Sequence, residues 1–294
     1  MAPAGFPASL PLCVCLLLAS GFAQAGRLLV VPMDGSHLFT MQSVVEKLIH
    51  RGHKVVVVVP EVSWQLRKSL NFTMKMNSVS YTLKELSHCF KFFAHNQWKT
   101  EEVGMFSLLK NPGRGFFELL FSHCMDLFSD KKLVEYLKKR SFDAVFLDLF
   151  DVCSLTVAKY LSLPSVIFAR DILFCHYLEE GAQCPSPPSY VPRGGLKLTG
   201  TMTFTERLRK HLAYKGEHGF CPYFFKTARK IASEVFQIPV TMNALFNPVS
   251  SWLFHRDFVL DFPRPIIPQM VLVGGINCHQ GEPFSKVCCL SFST

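Results

Sequence analysis

RLLVVPMDGSHLFTMQSVVEKLIHRGHKVVVVVP, residues 27–60, is the stretch whose reading decides the fold. Arg27 to Met33 is a short apolar run closed by Asp34-Gly35, a turn signal, so it reads as a buried strand. Met41, Val44, Val45, Leu48 and Ile49 then recur with helical spacing, Ser36 is placed to cap that helix, and Gly52 stops it. Lys54 to Val59 is a second buried strand, ended by Pro60. A strand, a helix and a strand in about 30 residues form one βαβ unit, because parallel strands need a crossover connection. Buried parallel strands of this kind predict an α/β fold with a doubly wound parallel sheet.

The same alternation returns downstream. Ala144 to Leu147 reads as a strand ending at Asp148, Cys153 to Leu161 as a helix, and Pro164 to Ala169 as another strand. Late strands are expected at Trp252–Phe254 and Met270–Val273. Helices are expected at 61–69, 80–100, over one long stretch at 104–140, and at 204–237 with a break near Gly219. The Pro- and Gly-rich residues 184–200 read as a long loop. The helical stretch at 104–140 carries Phe106, Phe116, Phe117 and Phe121 on a broad apolar face, which suits core packing, a pocket wall or a membrane-leaning surface.

Composition narrows the function classes. Of 294 residues, 49% are hydrophobic and 18% charged, a balance that excludes a disordered chain. After residue 25 no apolar run approaches the ~20 residues of a membrane span. The net charge of +9 comes from scattered residues without a basic block or a nucleic-acid-binding motif, so it reads as solubility with a lean towards anionic lipid. The 28 Phe exceed what a core needs and fit an apolar pocket or a membrane-contacting face.

Residues 1–25 end an apolar stretch in Ala23-Gln24-Ala25, the pattern of a cleaved secretory signal. An oxidising lumen follows, in which Asn71-Phe72-Thr73 is a glycosylation sequon. Of the 11 Cys, nine lie beyond Cys13 and Cys15, so at least one stays outside an intrachain pair. None has C-x-x-C spacing, and no metal site is expected.

In an open α/β sheet, ligands bind beyond the carboxyl ends of the strands. Two polar loops fall there, Asp34-Gly35-Ser36-His37 and Asp148-Leu149-Phe150-Asp151. A His with a carboxylate from a neighbouring strand end makes a general base: the carboxylate holds one ring nitrogen and the other takes a proton. Helix capping is the plainer role for each of these residues. No G-x-G-x-x-G, P-loop or G-x-S-x-G occurs. His50 and His53 read as a helix end, and His279 beside Cys278 as surface.

The stretches LLVVPMDGSH, FTMQSVVEKLIHRGH, VVVVVPEVSWQL, SFDAVFLD, HYLEEGAQCP, SYVPR and GGINCHQG resemble the acceptor-binding half of UDP-glucuronosyltransferases, and within them the phenol-handling group of the 1A subfamily. The resemblance implies the Rossmann-like N-terminal domain of a GT-B glycosyltransferase over residues 26–286, with 287–294 a divergent tail and the UDP-sugar-binding domain and transmembrane helix absent. It implies transfer of glucuronic acid from UDP-glucuronic acid, the co-substrate, to phenols and other lipophilic hydroxyl compounds, with inversion and no cofactor. His37 would be the base, oriented by Asp148, with Asp143 second because it opens the same strand at the far edge of the sheet. Ser36, Leu38, Phe39, Phe90, Phe93, Phe116 and Phe117 would line the acceptor site. The chain departs from the family pattern at Leu38 (usually Trp), Leu149 (usually Pro) and Asp171 (usually Gly). The implied setting is the endoplasmic reticulum lumen, membrane-associated. The alternative role is an inactive acceptor-binding fragment that associates with full-length glucuronosyltransferases.

Overall fold

Seven parallel strands stand side by side in the order β3-β2-β1-β4-β5-β6-β7 in a computed structural model that describes residues 25–63, 72–99, 114–170, 176–184, 186–187, 189–191, 198–256, 262–276 and 278. The strands are β1 (Arg27–Val31), β2 (Lys54–Pro60), β3 (Thr73–Asn77), β4 (Ala144–Asp148), β5 (Ser165–Ala169), β6 (Val249–Phe254) and β7 (Met270–Leu272). The helices between them are α1 (Ser36–His50), α2 (Leu83–Lys99), α3 (Arg114–Ser129), α4 (Lys131–Lys139), α5 (Val152–Tyr160), α6 (His176–Gly181), α7 (Phe204–Phe224), α8 (Lys226–Phe236) and α9 (Met242–Phe246). The chain winds outward from β1 to β2 and β3, then returns to lay β4 against the other side of β1. That reversal is the switch point of a doubly wound sheet, where a crevice opens above the carboxyl ends of β1 and β4.

Side chains alternate across a strand, so each central strand feeds two cores. Leu29, Val31, Val56, Val58, Val145, Leu147 and Ile167 face one side, where Leu127 of α3, Leu133 and Leu137 of α4, Val157 of α5 and Ile231 of α8 cover them. Val30, Val55, Val57, Phe146 and Phe168 face the other, against Leu38, Met41 and Val45 of α1. A fully buried residue such as Met41 makes its helix costly to lift, since Met→Ala in a core costs about 2–5 kcal/mol. A disulfide, Cys124–Cys153, ties α3 to the first turn of α5, and Cys221 is disulfide-bonded as well.

The structure revises several sequence expectations. The expected long helix at 104–140 is two helices where it is described, because Asp130 stops one and caps the next, accepting from Leu133 N at 3.0 Å. The break expected near Gly219 falls instead at Phe225, between α7 and α8; Gly219 lies inside α7. Strand β3 (TMKMN) was not expected. It is a sheet edge with only one buried residue, Asn77, and carries no apolar run to announce it. Ser36 does not cap α1: it is the helix's first residue, and Gly35 stands at the cap with no side chain to offer. Residues 1–24, 64–71 (Asn71 among them) and 279–294 lie outside the described residues, as do the side chains of Ser36, Phe93, Phe116 and Phe117.

Candidate active site

The turn out of β1 runs through Gly35, whose φ of 78° favours glycine, and it brings His37 into the first turn of α1. Asp34 steadies the turn, its Oδ1 accepting from Gly35 N at 2.7 Å and from Ser63 Oγ at 2.5 Å. Asp148 is the last residue of β4, the strand that neighbours β1. Two residues after Phe146, it points to the face that α1 covers. The two loops therefore meet across the switch point, and His37 Nδ1 lies 2.8 Å from Asp148 Oδ2.

This pair is held on every side. Asp148 is 1% exposed, and its second oxygen accepts from Phe150 N at 2.8 Å. The Phe150 ring stands edge-on to the imidazole, centroids 5.3 Å apart. With Nδ1–H given to the carboxylate, Nε2 is the ring nitrogen left to accept a proton. The His37 side chain keeps 16% of its surface exposed, so the ring is reachable from the crevice. A buried carboxylate that orients an imidazole is the geometry of a general base.

Beside the pair is a small, open recess of about 20 Å³. Its walls are largely apolar, from Pro32, Met33, Pro60, Phe121 and Phe150, and Asp34, Tyr81, His123 and Asp151 supply its polar groups. Asp151 caps α5: one carboxylate oxygen accepts from Cys153 N at 3.0 Å. The other, Oδ2, is buried without a hydrogen-bond partner. Burial pushes the Asp151 carboxyl up to about 7, and the charge of Asp148 adds to the rise. Burial moves the His123 imidazole the other way, to about 4, against the pull of Asp126 and Asp34. His123 Nδ1 lies 3.4 Å from Asn77 Nδ2, which leaves its proton on Nε2. The Tyr81 phenol is raised by burial and by the nearby carboxylates of Asp34, Asp126 and Asp151.

Not every sequence-nominated residue reaches this place. Asp143 lies at the opposite edge of the sheet, where its Oδ2 accepts from Arg27 N at 2.6 Å. Leu38 corrects an expectation: it is 6% exposed and packs into the core with Met41 and Val45, because one helical step past His37 turns it under α1. Phe39 and Phe90 are half-buried, and neither lines the recess as described. Phe121 does. Tyr81, His123 and Asp151 were missed as site residues; Asp151 sits in the DLFD loop already singled out, whereas Tyr81 and His123 carry no local signal. His50 Nδ1 lies 2.8 Å from Glu46 O and His53 Nδ1 accepts from Gly26 N, as befits a helix end. Among the described residues no cluster of three His, Cys, Asp or Glu suits a metal ion, and no helix is long and apolar enough to cross a membrane.

A family model described as UDP-glucoronosyl and UDP-glucosyl transferase matches residues 26–291. Over 286 residues the chain is 73% identical to a rat protein named UDP-glucuronosyltransferase 1A8, covering 97% of this chain and 54% of that one. It is 70% identical over 287 residues to mouse UDP-glucuronosyltransferase 1A7, with the same coverage. Against human UDP-glucuronosyltransferase 1A8 it is 62% identical over 283 residues, 96% of this chain and 53% of that one. The chain thus spans about half the length of the curated relatives it matches. A solved UDP-glucosyltransferase from Polygonum tinctorium shares 15% identity and a TM-score of 0.47 over 92% of this chain and 57% of that chain.

Proposed function

Because the chain belongs to the family of UDP-glucuronosyl and UDP-glucosyl transferases, we propose that its crevice is where an acceptor hydroxyl is activated for glucuronosyl transfer. The observation that carries this is the His37–Asp148 pair at the switch point, with Nε2 left to accept a proton. His37 Nε2 removes the proton of a phenol or other lipophilic hydroxyl compound. Asp148 holds the ring in that tautomer and stabilises the imidazolium that forms. The developing alkoxide attacks the anomeric carbon of UDP-glucuronic acid in line, inverting it to a β-glucuronide, and UDP leaves. Positioned general-base catalysis of this kind contributes about 10²–10⁴-fold.

The apolar walls from Met33, Pro60, Phe121 and Phe150 suit a lipophilic acceptor. In this reading the sugar nucleotide is held by the second Rossmann-like domain of a GT-B enzyme, facing the carboxyl ends of β1 and β4. The reading needs a co-substrate and no cofactor. The proposed setting is the lumen of the endoplasmic reticulum, and the Cys124–Cys153 disulfide favours such an oxidising compartment.

The test is glucuronide formation from UDP-glucuronic acid and a simple phenol. The chain is assayed alone and with its residues 26–286 replacing the matching half of the rat relative. His37→Ala is expected to remove the product wherever the parent makes it. Product that persists in that variant overturns the assignment.

A further inference from the structure

Helix α7 is turned the wrong way round for a helix that meets only water. Its buried residues include Lys210, Ala213, Glu217 and Cys221, so two charged side chains face inward. Outward stand Phe204, Leu208 and Leu212, which are 81%, 49% and 58% exposed. They follow one another at intervals of four, and residues so spaced lie on one face of a helix. His211, Lys215 and Gly219 are exposed on that face as well. Among the described residues no other element exposes more than two large apolar side chains. Three such side chains left side by side in water forgo the stabilisation of burial, so the arrangement calls for something that covers them.

The charge around the stripe says what covers it. The acids of α7 are already engaged: Glu217 is buried, and Glu206 accepts from Thr203 N at 2.7 Å and from Thr203 Oγ1 at 2.8 Å in a capping box. Arg209 lies close enough to offset the charge of Glu206, and Arg207 and Lys215 stand exposed beside the stripe. An outward apolar stripe flanked by cations matches the two layers of an anionic bilayer surface, acyl boundary below and headgroups above. A second copy of the chain fits less well, since it brings the same cations to the contact. We propose that α7 lies flat on an anionic lipid surface, with Phe204, Leu208 and Leu212 in the acyl boundary and Arg207 and Lys215 among the headgroups. The helix rests in the interface and does not cross, since no described helix is long and apolar enough to span.

The test is co-sedimentation of the full chain with vesicles of phosphatidylcholine alone, and of phosphatidylcholine and phosphatidylserine in equal parts. The parent is expected to bind the anionic vesicles about twentyfold more tightly, the product of two headgroup contacts, and to lose most of that preference in high salt. The triple variant Phe204→Gln, Leu208→Gln, Leu212→Gln keeps good helix propensity. Its affinity for the anionic vesicles is expected to fall about a hundredfold, roughly fivefold for each apolar side chain. Arg207→Gln with Lys215→Gln is expected to bring the preference for anionic lipid near to one. A parent indifferent to lipid charge, or an unchanged affinity in the triple variant, overturns the proposal.

A variant that gains binding guards against loss of fold. Gly219 lies on the same face, seven positions after Leu212, and a Cβ there meets nothing within 4 Å. Gly219→Leu lengthens the stripe into open space, and about fivefold tighter binding to the anionic vesicles is expected. Unaltered or weaker binding overturns the proposal. A triple variant that changes the mass of the chain in solution, while vesicle binding stays as it was, assigns the stripe to a second copy and overturns it too. None of these measurements needs a sugar donor, so they stand or fall apart from the reading of His37.

Discussion

Replacing Asp148 with Asn changes one atom and reverses the proton arrangement of the pair. The Asp148 carboxylate accepts twice, from His37 Nδ1 at 2.8 Å and from Phe150 N at 2.8 Å. An Asn side chain has one accepting oxygen, and the backbone N–H of Phe150 can only donate. Turning the amide the wrong way would set two donors face to face and leave a buried N–H unpaired, which costs about 1–3 kcal/mol. The oxygen therefore stays on Phe150 N and the amide nitrogen faces His37. Nδ1 then accepts, the ring proton moves to Nε2, and the base is lost although every heavy atom keeps its place. The expected loss of turnover is about 10²–10⁴-fold, with KM for the phenol little changed. Glucuronide formation gives the rate, and ¹⁵N NMR of the labelled imidazole gives the tautomer directly on the chain. Turnover within about tenfold of the parent, with Nε2 now protonated, would refute the reasoning.

Other predictions concern the groups around the pair. The Asp151 carboxyl is raised from 3.8 to about 7, so the folded state binds its proton more tightly than the unfolded state, and stability falls as pH rises through that window. Asp151→Asn is expected to raise Tm more at pH 8 than at pH 5, read by thermal denaturation at both. The His123 imidazole is lowered from 6.5 to about 4, so its contribution has the opposite sign: stability is lost as pH falls through that window. His123→Gln should flatten the acid limb of Tm against pH, and an unaltered limb would show that another group causes it. Gly181→Ala places a Cβ 2.6 Å from the Phe246 ring, and about 1–3 kcal/mol should be lost in denaturant unfolding. Cys124→Ser breaks a link between positions 29 apart in sequence; about 2–4 kcal/mol of stability should go, and a smaller loss would mean that α3 and α5 hold together without it.

The legible parts of this molecule are those whose signal is local. Five consecutive Val residues, Val55 to Val59, can hardly be anything but a buried strand, and the spacing from Met41 to Ile49 is helical by itself. The loops of His37 and Asp148 could be named because a parallel sheet puts its functional loops at strand ends, whatever the side chains are. The rest depends on partners distant in sequence. Edge strand β3 is a strand because β2 pairs with it, and its own residues carry no buried face. Leu38 follows His37 directly, yet only the packing of α1 on Val30 and Phe146 shows that it belongs to the core. His123 and Tyr81 join the recess because α3 and the segment after β3 converge above β1, and no spacing rule connects them.

The adjacency of β1 and β4 also bears on how the protein is made. His37 and Asp148 are 111 positions apart, and every strand of the first half is ready before β4 exists. At ribosomal rates of about 5–20 residues per second, β1 waits on the order of ten seconds for its neighbour. During that interval Val30 and Val31, later buried on both faces, stand at an open sheet edge able to pair with any passing strand. The nascent chain is thus most vulnerable at the very seam that later holds its chemistry. Substitutions that slow the docking of β4 should show first as lost yield in the cell, before any loss of specific activity in the protein that survives.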